Sequence, residues 1–149
     1  MNEHAAGYND ILKTNFERLC NSTQDTLIKM DGYIKESGKE PYFNIRVVLP
    51  RELRDNFADN LEESPLKIKA CFRQHTTDGE TTNFTIPLKG NANKKIRDLA
   101  ELIKTTLEHF GKPAPELIAN FSQGNFGPVA GEVKSRVKGN GSERGDFGI

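Results

Sequence analysis

Seven cations fall between positions 67 and 97: Lys67, Lys69, Arg73, Lys89, Lys94, Lys95 and Arg97, against Asp78 and Glu80 in the same window. Ammonium and guanidinium groups gathered in this way suit one kind of chemistry, the binding of phosphate or another oxyanion. Lys94, Lys95 and Arg97 sit in "GNANKKIRDLAELI", which reads as a helix starting near Asn91 or Asn93. A helix start carries about half a positive charge and prefers Asp or Glu there, by about 0.3–1 kcal/mol per charge. Three cations break that preference. Exposed amides at a helix start, together with lysine side chains, form a ready phosphate site. The plain structural reading is a solvated face, with Lys94–Asp98 and Arg97–Glu101 as i,i+4 pairs. Each pair is worth about 0.2–0.5 kcal/mol at most, because the cation precedes the acid.

Other chemistries find less support. His4, His75 and His109 lack metal-ligand spacing, and two cysteines, Cys20 and Cys71, make neither a disulfide framework nor a zinc site. Cys71 and His75 would share a strand face, but four residues at about 3.3 Å leave them roughly 13 Å apart. "KGNANKK" has a glycine ahead of a helix, yet lacks the second glycine and the Lys-Ser/Thr pair of a phosphate loop. Asp55, Asp59, Glu62 and Glu63 read as the solvated face of a short helix. No catalytic constellation emerges, so the expectation is a protein without enzymatic activity, metal or cofactor.

The elements that must position the cations follow from periodicity. Tyr8, Leu12, Phe16, Leu19, Thr23 and Leu27 recur at helical steps, with Ile11 and Cys20 beside them and Gly32 as the stop. "YFNIRVVL" alternates as a strand, with Phe43, Ile45, Val47 and Leu49 on one face and Tyr42, Asn44, Arg46 and Val48 on the other. After Pro50, the stripe Leu53, Phe57, Leu61 marks a short helix that Pro65 ends. "LKIKACFRQH" and "NFTIPLK" alternate again. Their expected inward residues are Leu66, Ile68, Ala70 and Phe72, then Phe84, Ile86 and Leu88. Pro87 places the second of these strands at a sheet edge. Ile96, Leu99, Ala100, Ile103, Leu107 and Phe110 form a long apolar stripe, capped by Asn91 or Asn93 and ended by Gly111 and Pro113.

The turn "TTDGET" fixes the expected register. Phe72 faces Phe84 if the loop is Thr77-Asp78-Gly79, with Gly79 at positive φ. Lys67 then falls opposite Lys89, a like-charge pair that costs a fraction of a kcal/mol, of order 0.2–1. Two local rules are thus broken with the same sign, and departures from local rules concentrate at functional sites. In this register Lys69, Arg73 and His75 extend the outer face, beside Arg46 and Tyr42.

The whole chain, at 149 residues with 28% charged and 35% hydrophobic, suits one domain with a modest core. Formal net charge is zero, which argues against a strongly basic nucleic-acid protein, but the zero is made of unequal halves. Residues 1–66 hold eight Lys/Arg and twelve Asp/Glu, while 67–149 hold thirteen and nine. No apolar run approaches a membrane span, and the N-terminus lacks the plan of a signal peptide, so a cytoplasmic or other intracellular place is expected. Residues 1–110 read as one α+β domain. Residues 111–149 read as a proline linker and a flexible Gly-rich tail or arm, with "VKSRVK" as a lone strand candidate.

The expected fold is therefore α+β: a small, mostly antiparallel three-stranded sheet with helices packed on one face, followed by the tail. The order helix–strand–strand–strand–helix over about residues 8–110, with Lys94 and Lys95 opening the last helix, is similar to a double-stranded-RNA-binding domain. The short helix at 51–63 would be an insertion. The resemblance implies phosphate contact by Lys94 and Lys95. The leading expectation is a module that binds the backbone of RNA or DNA, with Lys94, Lys95 and Arg97 on phosphates. Lys67, Lys69, Arg73 and Lys89 supply the flanking field, and Tyr42 is the one stacking ring. The alternative is an assembly or interaction component, viral, phage or regulatory. It would dock an acidic protein surface or self-associate through its C-terminal arm.

Overall fold

The computed structural model describes residues 2–36, 40–76 and 79–127. Helix α1 (Asn2–Ser22) is followed by strands β1 (Lys29–Lys35) and β2 (Tyr42–Leu49). A 3₁₀ turn at Arg51–Leu53 leads into α2 (Arg54–Glu63), then β3 (Ala70–Thr76), β4 (Gly79–Pro87), α3 (Ala92–His109) and α4 (Glu116–Ser122). The fold is α+β with an antiparallel sheet, but the sheet has four strands, not three, in the order β1-β2-β4-β3.

The additional strand is β1. The helical stripe expected to run through Leu27 stops at Ser22, because three hydroxyls in sequence take over backbone carbonyls. Ser22 Oγ donates to Leu19 O (2.6 Å), Thr23 Oγ1 to Cys20 O (2.7 Å) and Thr26 Oγ1 to Thr23 O (2.7 Å). Such bonds offer the chain an alternative to the helix ladder. Thr23 is fully buried, and its Oγ1 also accepts from Met30 N (2.9 Å), so one side chain joins the end of α1 to the start of β1. Gly32 is not a helix stop. It lies in β1 opposite Ile45, and a Cβ there would meet Asn44 O at 2.1 Å.

The core lies on one face of the sheet. Met30, Phe43, Ile45, Val47, Leu49, Phe84 and Ile86 are buried beneath helix residues Leu12, Phe16, Leu19, Ile96, Leu99 and Ile103. The rings of Phe16 and Phe43 meet at 4.9 Å. The stripe Leu53, Phe57, Leu61 is buried as its spacing implies. Asn91 caps α3, its Oδ1 accepting from Lys94 N at 3.1 Å. Beyond Gly111 the chain, expected as a linker, forms α4. There Leu117, Ile118 and Phe121 join the same core. Arg18 donates to Phe126 O (2.9 Å) and Gly127 O (3.2 Å) and stacks over the Phe121 ring, holding the chain just past α4. The tail from 128, including "VKSRVK", lies outside the described residues.

The register of β3 on β4 corrects the expected one. Thr76 pairs with Gly79, so Thr77-Asp78 is the two-residue connection, and Cys71, not Phe72, lies opposite Phe84. Gly79 does have positive φ (156°), but as the first residue of β4, where a Cβ would meet Leu49 O at 2.4 Å. The phase changes at Lys69. Its N–H donates to Thr85 O (2.9 Å) although Ala70 is the ladder partner of Thr85, so two residues oppose one. Leu66 and Ile68 pack on the core before that point; Ala70 and Phe72 after it are exposed. A one-residue slip moves every following side chain to the other face.

Pro87 does not mark an edge either. Strand β4 is central, paired with both β2 and β3. Leu88 N bonds Pro41 O on the β2 side (3.0 Å), so by alternation the Pro87 nitrogen faces the β3 side. There the ladder begins only at Ala70–Thr85, and no bond is lost. The three-strand order of the double-stranded-RNA-binding resemblance is likewise not met, since β2 neighbours β4 and a fourth strand is present.

Candidate phosphate-binding cavity

Three separate segments deliver four lysines to one place. Lys94 and Lys95 come from the first turn of α3, Lys89 from the loop after β4, and Lys67 from the segment ahead of β3. All four line a cavity of about 370 Å³, together with Glu40, Asn91, Asp98 and Pro87. Lys67 and Lys89 are not partners in a ladder, as the corrected register requires, yet they face the same space. The expected crowding of positive charge is present through a different geometry.

The environment of each lysine differs. Lys95 Nζ donates to the Pro87 carbonyl (2.6 Å) and is half-buried. Burial first, then the neighbouring Lys67 and Lys94 charges, hold its pKa below the usual lysine value, against the opposing pull of Asp98. Lys94 reaches Asp98 Oδ2 at 3.4 Å. Among the described residues Lys67 and Lys89 make no ion pair. Helix α3 has no acid in its first turn, so its partial positive end adds to the same field.

The two acids at the rim are already engaged. Glu40 takes a hydrogen bond from Lys69 (2.5 Å), and that bond, with the Lys69 charge, holds its carboxyl below the usual range. Asp98 takes Lys94 and Arg97, the latter at 3.5 Å. What is left unmatched is cationic.

The remaining expected site residues lie elsewhere. Lys69 stands at the rim, on Glu40. Arg97 runs beside Gly124 at the end of α4. Arg73 and Cys71 are not on the outer face. They line a groove on the helix side of β3 with Asp55, Asp59 and Glu62 of α2, where the acidic helix offsets the arginine locally. Tyr42 is on the outer face as expected, half-buried and paired across the ladder with Lys35 and Pro87. Asp98 was expected as the i,i+4 partner of Lys94, and it also takes Arg97, which was expected on Glu101. Glu40 and the Pro87 carbonyl were not anticipated, since nothing local distinguishes a loop acid or a strand-end carbonyl.

Among the described residues no group of three or more His, Cys, Asp or Glu is placed to hold a metal ion. No helix among them is long and apolar enough to cross a membrane. No protein-family model, curated protein or solved structure matches the chain.

Proposed function

We propose that this chain is a non-enzymatic module that binds the phosphate backbone of nucleic acid, acting inside the cell, with the lysine cavity at the start of α3 as its contact. One observation carries the reading: Lys67, Lys89, Lys94 and Lys95 converge from three segments on one cavity, and among the described residues Lys67 and Lys89 make no ion pair within 4.0 Å. Like charges brought together in a partly buried place cost stability unless something opposes them. Clusters of this kind are more common at sites that meet a charged ligand. A phosphate oxygen entering the cavity would take hydrogen bonds from the ammonium groups and sit at the positive end of α3.

The roles divide by position. Lys94 and Lys95 contact phosphate directly, and Lys67 and Lys89 close the other side of the cavity. Lys69 and Arg97 supply field from its margins through the acids they hold. The test is the double variant K94Q/K95Q, measured against labelled RNA, single-stranded DNA and duplex DNA over a salt series. Affinity should fall for all sequences alike, and the slope of log K against log salt should lose about 0.7–0.9 per phosphate contact removed. Unchanged affinity and slope at low salt would refute the reading.

A further inference from the structure

The outer face of the sheet is open over most of its area: its outward residues over 29–35 in β1, 42–48 in β2, 81–87 in β4 and 70–74 in β3 are all exposed or half-buried. The ladder places its side chains in rows. Asp31, Arg46, Asn83 and Phe72 form one row, and Tyr33, Asn44, Thr85 and Ala70 form the next. Phe72 is 71% exposed and Tyr33 is 55% exposed, one on each edge strand. Between them the surface is polar, made of amides, hydroxyls and the Arg46 guanidinium held on Asp31 (2.9 Å).

We propose that this face is a stacking platform for unpaired bases, with Phe72 and Tyr33 as its rings, so that the cavity's substrate class is single-stranded rather than duplex nucleic acid. This rests on the phosphate-binding reading above and narrows it. An interface between two copies of the chain would favour a contiguous apolar patch at its centre. Here Phe72 and Tyr33 are separated by polar side chains, and the remaining ring of the face, Tyr42, is half-buried and diagonal to Tyr33. Phe72 and Tyr33 stand three strand spacings apart and one pleat repeat along, or roughly 16 Å at about 4.8 Å per strand and 3.4 Å per residue. That is farther than one nucleotide step, so the rings take non-adjacent bases. Asn44, Asn83 and Thr85 lie between to meet base edges with donors and acceptors.

Charge points the same way. The face carries Lys29, Lys35 and Arg46 against one acid, Asp31, which suits a polyanion. The two regions are also continuous. Tyr42 on the outer face pairs across the ladder with Pro87, and Pro87 lines the lysine cavity. A strand stacked on the sheet therefore reaches the lysines with its backbone at that end. Duplex offers no open base faces and gains nothing from the rings.

The experiment compares a labelled twelve-residue oligouridine with the same strand in a duplex, by anisotropy, on the full chain. F72A and Y33A should each weaken single-strand binding by about 5- to 100-fold, the range that loss of one stacked base gives. Salt slope and duplex binding should stay unchanged, and F72Y should restore the affinity. Both rings are exposed, so the variants should fold; matched unfolding curves check this. The proposal is overturned if F72A and Y33A bind oligouridine like the parent while K94Q/K95Q still lowers affinity and slope. In that case phosphate binding stands and the platform does not. Loss of neither with either variant set refutes both. A preference for duplex, or a concentration-dependent dimer that F72A abolishes, assigns the face to another occupant and also overturns the proposal.

Discussion

Phe72 and Phe84 provide a sharp energetic test of the register. In the structure Phe84 is 1% exposed and Phe72 is 71% exposed, although both stand in strands that alternate. Replacing Phe84 with Ala removes a buried ring and leaves a cavity, which costs about 3–5 kcal/mol. Replacing Phe72 removes a ring that is less than a third buried. Full burial of such a side chain is worth about 1.5–3 kcal/mol, so the loss is about 0.5–1 kcal/mol, with no cavity added. The assay is equilibrium unfolding in urea at neutral pH. With a slope of about 2 kcal/mol per molar, F84A should lower the midpoint by about 1.5–2.5 M and F72A by about 0.5 M or less. Equal shifts would mean that Phe72 is in the core. That result would restore the Phe72–Phe84 pairing, remove Phe72 from the outer face and refute the argument from the bend at Lys69.

Thiol reactivity tests the same geometry at the neighbouring residue. Cys71 is exposed, whereas Cys20 is buried and burial pushes its thiol up to about 12. A reagent should label Cys71 first, with Cys20 reacting only on unfolding; equal rates in native protein would contradict the structure. The raised Cys20 value also has a stability sign. The unfolded thiol ionises near its ordinary 9.0 and the folded one does not, so this contribution is intact below pH 9 and is lost as pH rises from there toward about 12. Replacing Cys20 with Ala should flatten that alkaline decline in unfolding midpoint, and an unchanged decline would show that other groups cause it. Thr23→Val keeps the shape of a fully buried side chain but leaves Met30 N and Cys20 O without the hydroxyl. It should cost about 1–3 kcal/mol in the same urea assay, and a neutral result would show that the α1–β1 corner does not depend on that bond.

The lysine cavity illustrates how a sequence can announce a tendency without its geometry. Cations at the start of α3 were legible because cap and helix stripe are local: Asn91 or Asn93, then Ile96, Leu99, Ala100 and Ile103 at helical steps. Lys67 and Lys89 were expected to oppose each other through a ladder. They meet instead because the segment ahead of β3 and the loop after β4 both end at the same corner of the fold, beside Pro87. Arg73 and Arg97, similar in sequence context, are carried to other surfaces.

Local periodicity determined what needs only neighbours along the chain. The faces of β2 and β4, the stripe of α2, the stripe of α3 up to Leu107 and a cap at Asn91 or Asn93 each follow from residues within one or two turns or pleats; the structure places the cap at Asn91 and leaves Phe110 exposed past the helix end. Tertiary structure decided what needs a distant partner. "KMDGYIK" becomes β1 because β2 offers it a ladder and Thr23 anchors its start; in isolation its glycine reads as a stop. Pro87 sits in a central strand because β3 does not extend to the position its missing N–H would serve. Phe72 lies outside because alternation has two equivalent phases, and the strand itself cannot choose between them. The choice was made at Lys69, where two residues meet one on β4, and by the core that Leu66 and Ile68 had already joined on the near side of that bend.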